Sequence, residues 1–422
     1  MKRKVIFLLA LVLLLCSCGV RQEPQEETHT LIEDGNTIYF EAETTTTEPT
    51  TEAEKPIVSH LMVGGDVMSH IPQIKDAYVA TSGTYDYNHM FVDPAKQLKK
   101  ADYAVANFET VLAGGPNYTG FPNFNSPDAL AYAVKDAGFD LVGTANNHSR
   151  DQGIDGINRT LDVLDEVTLA HVGSYRSQEE RDKNNGIVVA DVGGISVAFL
   201  CYTYGLNGYS LPQDKLFAVN VFNIDYTTTL SQFNYDLVGK DLAAARALNT
   251  DMTAVLIHWG VEYQNAPNDY QKKIAKYLVS QGVDLIFGSH PHVLQPYEVI
   301  KTEDDNGKLR AGFVIYSFGN FISNQMTEPA TKTTCILDLE LTKNPATGKT
   351  KLTDVRYTPY YMLHRDDLPA GQRRMLVNIH EAMAEYEAGK SKYIGPNSYQ
   401  LLKNALAHAH KILGEKGDKA SK

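Results

Sequence analysis

The stretch that most constrains this chain is Gly288-Ser289-His290-Pro291-His292-Val293, directly after the apolar run Val283-Asp284-Leu285-Ile286-Phe287. A short apolar run bounded by turn residues reads as a buried parallel strand, and the histidines as the loop at its C-terminal end. In α/β sheets that edge is where ligands bind. Two imidazoles one residue apart there can serve a single metal ion, or one each of two ions.

Other apolar runs end the same way. Leu61-Met62-Val63 feeds Gly64-Gly65-Asp66, and Asp102-Tyr103-Ala104-Val105-Ala106 feeds Asn107-Phe108-Glu109. Residues 139–144 lead into Ala145-Asn146-Asn147-His148, Ala254-Val255-Leu256-Ile257 into His258-Trp259-Gly260, and residues 312–316 into Ser317-Phe318-Gly319-Asn320. Residues 195–202 form one more strand. Between the runs lie helical patterns: residues 94–100, a helix opened by Ser126-Pro127 and closed by Gly138, the series Ile154, Ile157, Leu161 and Leu164, and the series Ile274, Tyr277 and Leu278. Strand, polar loop, helix, strand is the pattern of a layered α/β domain, expected over residues 57–342. Within it residues 334–341 alternate, which reads as a strand with one face in solvent. Residues 343–422 read as a partly helical C-terminal extension, with Met375, Ile379, Ala382, Met383 and Tyr386 on one amphipathic helix and Leu402, Leu406, Ala409 and Leu413 on another.

The N-terminus carries an address. Lys2, Arg3 and Lys4 precede an apolar stretch too short to span a bilayer, so residues 1–17 read as a signal peptide. Leu15-Cys16-Ser17-Cys18 resembles a bacterial lipobox, which makes Cys18 the lipidated first residue of the mature chain; cleavage nearby as an ordinary secretory signal is the alternative. Residues 18–56 are acidic and Thr-rich, cannot bury a core and read as a disordered tether between membrane lipid and the folded domain. The expected location is the extracytoplasmic face of a bacterial membrane. Cys201 and Cys335 both fall in apolar runs and read as buried thiols. The formal net charge of −12 gives no support to a nucleic-acid partner.

Collected from the strand ends, Asp66, Glu109, Asn147, His148, His258, His290 and His292 supply two carboxylates, an amide oxygen and four imidazoles. A dinuclear centre needs a carboxylate between its cations and further N and O donors around each. Such a pair lowers the pKa of a bridging water, and a nearby imidazole can protonate a leaving oxygen. Further residues have two readings each. Glu262 either supports a ligating imidazole from behind or is a solvated acid at a helix start. Trp259 walls the pocket or packs between helix and sheet. Asp151 orients His148 or caps the following helix. Asn107 reads as a pocket residue, Asn207 and Asn320 at strand ends line the site or shape turns, and His70 reaches in or faces solvent. His364, His408 and His410 read as solvent-facing.

In order, Gly65-Asp66, Asn107-Phe108-Glu109, Asn146-Asn147-His148, His258-Trp259-Gly260 and Gly288-Ser289-His290-Pro291-His292 resemble the five blocks of calcineurin-like metallophosphoesterases. With Tyr175-Arg176-Ser177 and Tyr316-Ser317-Phe318-Gly319-Asn320-Phe321-Ile322, the chain is more similar to the CapA/PgsA-like branch associated with capsular poly-γ-glutamate synthesis. That resemblance implies a four-layer α/β/β/α sandwich and one or two divalent metal ions (Mn, Fe or Zn). Asp66 and His292 would hold the first, Glu109 would bridge, Asn147, His258 and His290 would hold the second, and His148 would act as the catalytic acid. It further implies an anionic polymer and capsule-synthesis membrane proteins as partners. Two positions depart from the phosphoesterase pattern: Met68 stands where a histidine is usual, and Glu109 where an aspartate is usual. Three functions remain open: capsule-polymer synthesis or export, metal-dependent hydrolysis of a phosphoester or envelope bond, and an inactive binding scaffold.

Overall fold

The computed structural model describes residues 55–326 and 328–421. Residues 1–17, read as a signal peptide, Cys18, and nearly all of residues 18–56, read as a tether, lie outside the described residues. Ile57–Val67 is the central strand of an eight-stranded sheet that runs Arg374–Asn378, Lys349–His364, Thr333–Asn344, Ile57–Val67, Tyr103–Phe108, Leu141–Gly143, Ala170–Val172, with Asn320–Ile322 paired to the end of Ile57–Val67. A six-stranded sheet runs Leu294–Glu303, Leu309–Phe318, Leu285–Ser289, Met252–His258, Ile195–Thr203, Val188–Val192. In the eight-stranded sheet the strands from Ile57–Val67 to Ala170–Val172 are parallel and those on the other side antiparallel; in the six-stranded sheet the four middle strands are parallel and both edge strands antiparallel.

The two sheets face each other. Strand periodicity of two sends Phe199 and Cys201 into the core shared with Val63, Val105 and Leu141 of the other sheet. It sends Ala198, Leu200 and Tyr202 to the opposite face, against Val238 and Leu242 of the helix Tyr235–Ala247 and Ile274 and Leu278 of the helix Asp269–Ser280. The eight-stranded sheet is covered on its outer face by helices that include Ala129–Ala137 and Gly153–Glu166. The architecture is therefore the expected α/β/β/α sandwich.

Three local expectations change. The helix after Ser126-Pro127 begins at Ala129, and Gly138 closes it at φ +109°, the left-handed conformation that suits glycine. Thr333–Asn344 has no solvent face over most of its length, because the C-terminal helix Pro396–Leu413 packs across it and the other sheet lies beneath. The sheet also continues past residue 342: Lys349–His364 is a 16-residue strand paired with Thr333–Asn344, and Arg374–Asn378 pairs with it in turn. The C-terminal segment thus opens with two strands before its helices Ile379–Glu387 and Pro396–Leu413, which bury Ile379, Leu402 and Ala405 against Leu363 and Val377.

Asp418 ties this segment down. Its buried carboxylate accepts from His380 Nε2 at 2.7 Å and His410 Nε2 at 2.8 Å, so His410 is a clasp and not the solvent-facing group read from sequence. Burial alone would raise this carboxyl, but the two imidazoles hold it below the ordinary aspartate value. A carboxyl lowered on folding contributes stability above its unfolded value that is lost as pH falls through the folded one. Asp418→Ala is expected to cost about 2 kcal/mol at neutral pH and much less in acid, read from denaturant melts at the two pH values.

Candidate metal centre

All five predicted blocks meet at one place, the C-terminal ends of the parallel strands of both sheets. Asp66 sits near the end of Ile57–Val67, Glu109 directly after Tyr103–Phe108, His258 at the end of Met252–His258, and His290 directly after Leu285–Ser289. Asp66, Glu109, Asn147, His148, His258, His290 and His292 are all buried. The loop that carries the two histidines is conformationally demanding, since His290 has φ +94° and His292 φ +59°, a region that costs a non-glycine residue roughly 1–3 kcal/mol.

The side chains form two overlapping groups. Glu109, His258 and His290 bring one ligand atom each within 4.8 Å of one another, and so do Asp66, Glu109 and His292. Glu109 belongs to both. Asn107 donates its amide to Asp66 Oδ1 at 2.9 Å and to Glu109 Oε2 at 3.3 Å, which leaves one oxygen of each carboxylate turned elsewhere.

Surrounding groups fix how the donors present themselves. Asn147 donates Nδ2 to Asn207 Oδ1 at 3.0 Å, so its own Oδ1 faces His258 Nε2 at 2.8 Å. His258 Nδ1 lies 2.8 Å from Ser289 Oγ. With Nδ1–H given to that hydroxyl, the His258 Nε2 lone pair, Asn147 Oδ1 and Glu109 Oε1, 3.4 Å from Nε2, are three acceptors around one point with no donor among them. On the other side, Asn320 donates Nδ2 to Thr331 O at 3.1 Å and accepts from His292 Nδ1 at 2.9 Å, which leaves Nε2 facing Glu109 Oε1 at 4.0 Å. Glu109 Oε1 and His290 Nδ1 are buried and have no hydrogen-bond partner. Convergent acceptors and orphaned buried donor-set atoms are what a divalent cation satisfies, and a mixed N/O set without thiolate suits one.

The electrostatics agree. Burial and the neighbouring Glu109 raise the Asp66 carboxyl, whereas Glu109, which burial would also raise, is held at about 2 by His258 and His292. Burial would lower the His292 imidazole, but Glu109 and Asp66 push it up to about 9, while burial and the adjacent imidazoles drive His290 far down. Two carboxylates and three imidazoles in one dry site favour positive charge among them.

His148 lies in none of these groups. Asp151 Oδ2 accepts from His148 Nδ1 at 2.7 Å and from Phe124 N at 2.7 Å, which leaves His148 Nε2 as the nitrogen free for proton transfer. Asp151 therefore orients His148; the helix Gly153–Glu166 has Gln152, not Asp151, at its N-cap, with no side-chain cap hydrogen bond. His70 is largely enclosed, its Nδ1 accepting from Asn324 N at 3.2 Å and its ring edge-on to Phe124, and it joins no group of carboxylates and imidazoles. Burial first, then His292, lowers it to about 4. Trp259 packs in the helix–sheet core, stacked on Tyr316 with its indole N–H on Tyr316 O, so the packing reading holds for it. Glu262 comes closer than the sequence implied, with a carboxylate oxygen in a group with His290 and His292. Asn207 (φ +50°) lines the site, the first of its two readings, by accepting from Asn147 Nδ2; Ser289, whose hydroxyl lies on His258 Nδ1, carries weight that the sequence did not reveal, because its role is to turn another residue's acceptor inward.

Residues 60–325 match the family model described as bacterial capsule synthesis protein PGA_cap. The chain belongs to this family. It is 33% identical over 286 residues to the capsule biosynthesis protein CapA of Bacillus anthracis, covering 66% of this chain and 62% of that protein. It is 29% identical over 268 residues to the PGA biosynthesis protein CapA of Bacillus subtilis, covering 63% of each. The chain thus spans somewhat under two thirds of the length of these relatives. Among solved structures it is similar to a calcineurin-like phosphoesterase, YfkN from Bacillus subtilis (TM-score 0.38, 14% identity, 85% of this chain and 98% of that one), and to a putative 5'-nucleotidase from Staphylococcus aureus (TM-score 0.41, 11% identity, 83% and 58%). At these scores the likeness adds nothing to the topology above.

Proposed function

We propose that this protein is a membrane-anchored capsule-synthesis factor that handles an anionic γ-glutamyl polymer at the extracytoplasmic face, using a divalent-metal centre. Family membership supports the capsule role, and the observation that carries the metal centre is Glu109, one buried carboxylate shared by two donor groups. Asp66 and His292 would hold one cation, Asn147, His258 and His290 the other, with Glu109 between. Bound metal would supply Lewis-acid charge for an anionic oxygen. Asn107, Asn207, Ser289 and Asn320 hold the ligand atoms in orientation, and the enclosing strands keep bulk water from the donors. For a protein of net charge −12, such local positive charge is also a physical means of holding a polyanion. Cys18 would carry the lipid anchor, membrane lipid and capsule-synthesis membrane proteins would be the partners, and nucleic acid would not.

A second reading, metal-dependent hydrolysis of a phosphoester or another envelope bond, is favoured by one feature. His148 is oriented by Asp151 as a proton donor for a leaving group would need to be.

A strain that makes surface polymer, deleted for this gene and complemented in turn with wild type and His258→Ala, separates the outcomes. Deletion is expected to remove most surface γ-glutamyl polymer, wild type to restore it, and His258→Ala to restore less than about a tenth while accumulating normally, a loss of the size expected when a metal's immediate surroundings are broken. Unchanged polymer on deletion would rule out the capsule role, and full rescue by His258→Ala would rule out the metal's part in it.

A further inference from the structure

The two halves of the centre are unequally supplied. Around His258 the donors are four: Asn147, His258, His290 and the shared Glu109. Around His292 they are three, Asp66, His292 and Glu109, one fewer than a closed four-coordinate site takes. Met68, two residues past Asp66, is buried and offers only a thioether.

We infer that Glu262 is the missing ligand and closes the His292 side of the centre from the solvent face. This rests on the metal-centre reading above. A Glu262 carboxylate oxygen, one nitrogen of His290 and one of His292 lie within 4.8 Å of one another. The backbone puts it there. Trp259 N donates to Ser289 O at 3.1 Å and Tyr263 N to Pro291 O at 2.8 Å, so the loop after Met252–His258 is laced to the loop that carries both histidines. Gly260 at φ +92° and Tyr263 at φ +64° make the sharp turns that hold Glu262 over that loop. His290, which lies between this group and the His258 group, has its Nδ1 buried and without a hydrogen-bond partner among the described residues.

The position has a chemical consequence. Glu109 is fully buried beneath the centre, whereas Glu262 is partly exposed. An exposed carboxylate on a loop is the ligand that can leave when the oxygen of an incoming anion arrives. Glu262 would then both retain the more weakly held cation and open its coordination position to an acidic substrate.

Mn2+ alone is the probe. The full chain as wild type, Glu262→Gln and Glu262→Asp is titrated with Mn2+, with the stoichiometry and the Kd of each equivalent read from free-ion EPR and the bound signal examined for spin coupling. Wild type is expected to bind two equivalents. Glu262→Gln is expected to keep the tighter one and to weaken the other by about tenfold or more, with loss of the coupled signal, and Glu262→Asp to fall between. Thermal melts of the metal-free forms should coincide, since Glu262 lies on a surface loop. Two equivalents of unchanged Kd in Glu262→Gln would overturn the role of Glu262 and leave the centre itself standing. A wild type that takes up no Mn2+ would instead overturn the metal-centre reading, and this inference with it.

Discussion

Glu109→Gln is expected to remove both cations at once. Glu109 is the one side chain common to both donor groups, and its Oε1 lies 3.4 Å from His258 Nε2 and 4.0 Å from His292 Nε2. Glutamine keeps the length and the shape but removes the charge, and a donating NH2 on this side would point two protons at a place where cations belong. Loss of a group that merely orients a ligand costs roughly 10–100-fold in metal affinity, so loss of the shared ligand should cost roughly 100-fold or more for each ion. Against the effect of burial, His258 and His292 hold Glu109 below the ordinary glutamate value, so its charge stabilises the metal-free fold, and the metal-free variant should melt below wild type; the effect of metal is therefore read within each variant, against its own metal-free form. The measurement is metal content after gel filtration, paired with the shift in melting temperature on adding Mn2+. Wild type should be stabilised by about 2.7 kcal/mol at a hundredfold excess over Kd, and the variant by close to nothing. A variant that retains two equivalents would show that Glu109 does not join the sites.

Gly288→Ala is expected to be the most damaging small substitution under the centre. A Cβ at residue 288 would lie 2.0 Å from Tyr316 O and 2.7 Å from Trp259 Nε1. The first neighbour is backbone and cannot rotate away. Moving residue 288 would break its parallel pairing with Ile257 and strain the Phe287–Ile315 register on the other side. Overpacking costs 1–3 kcal/mol where side chains can give, so a clash with a strand's carbonyl should cost about 3 kcal/mol or more. Low soluble yield and a melting temperature lowered by several degrees are expected, with metal binding weakened because Ser289 and His290 follow directly. Gly395→Ala is the control, since nothing lies within 4 Å of its added Cβ and it is expected to change stability by no more than about 0.5 kcal/mol. Equal melting temperatures for the two variants would show that the strand yields more easily than its hydrogen bonds imply.

The sequence revealed the strand ends because each parallel strand is an apolar run followed at once by a polar residue, and both halves of that signal are local. It did not reveal Lys349–His364. That strand carries Lys349, Lys351, Asp354 and Arg356 in its first half, with apolar residues packed in only later, so no clean alternation announces it. Thr333–Asn344 misled in the opposite sense. Its alternation is real, but a helix some sixty residues further on covers the face that looked free. His410 was misread for the same reason, since its partner Asp418 closes a clasp that also involves His380 on another helix.

The sequence by itself determined which residues reach the centre: seven donor or acid side chains, each placed by the rule that a buried strand must end in a turn and that turns can carry polar groups. Only the tertiary structure decided what each does. It made Glu109 common to two groups, set Asp151 behind His148, withdrew Trp259 into the core, and brought Glu262 alongside His290 and His292. These relations depend on how two sheets stack and on which loops are hydrogen-bonded to one another. Asp151 and His148 are three residues apart, but most contacts at the centre join distant residues, such as Asn107 with Asp66, 41 positions apart, and His290 with Asp66, 224 apart, and a periodicity of two or of 3.6 carries no information about them.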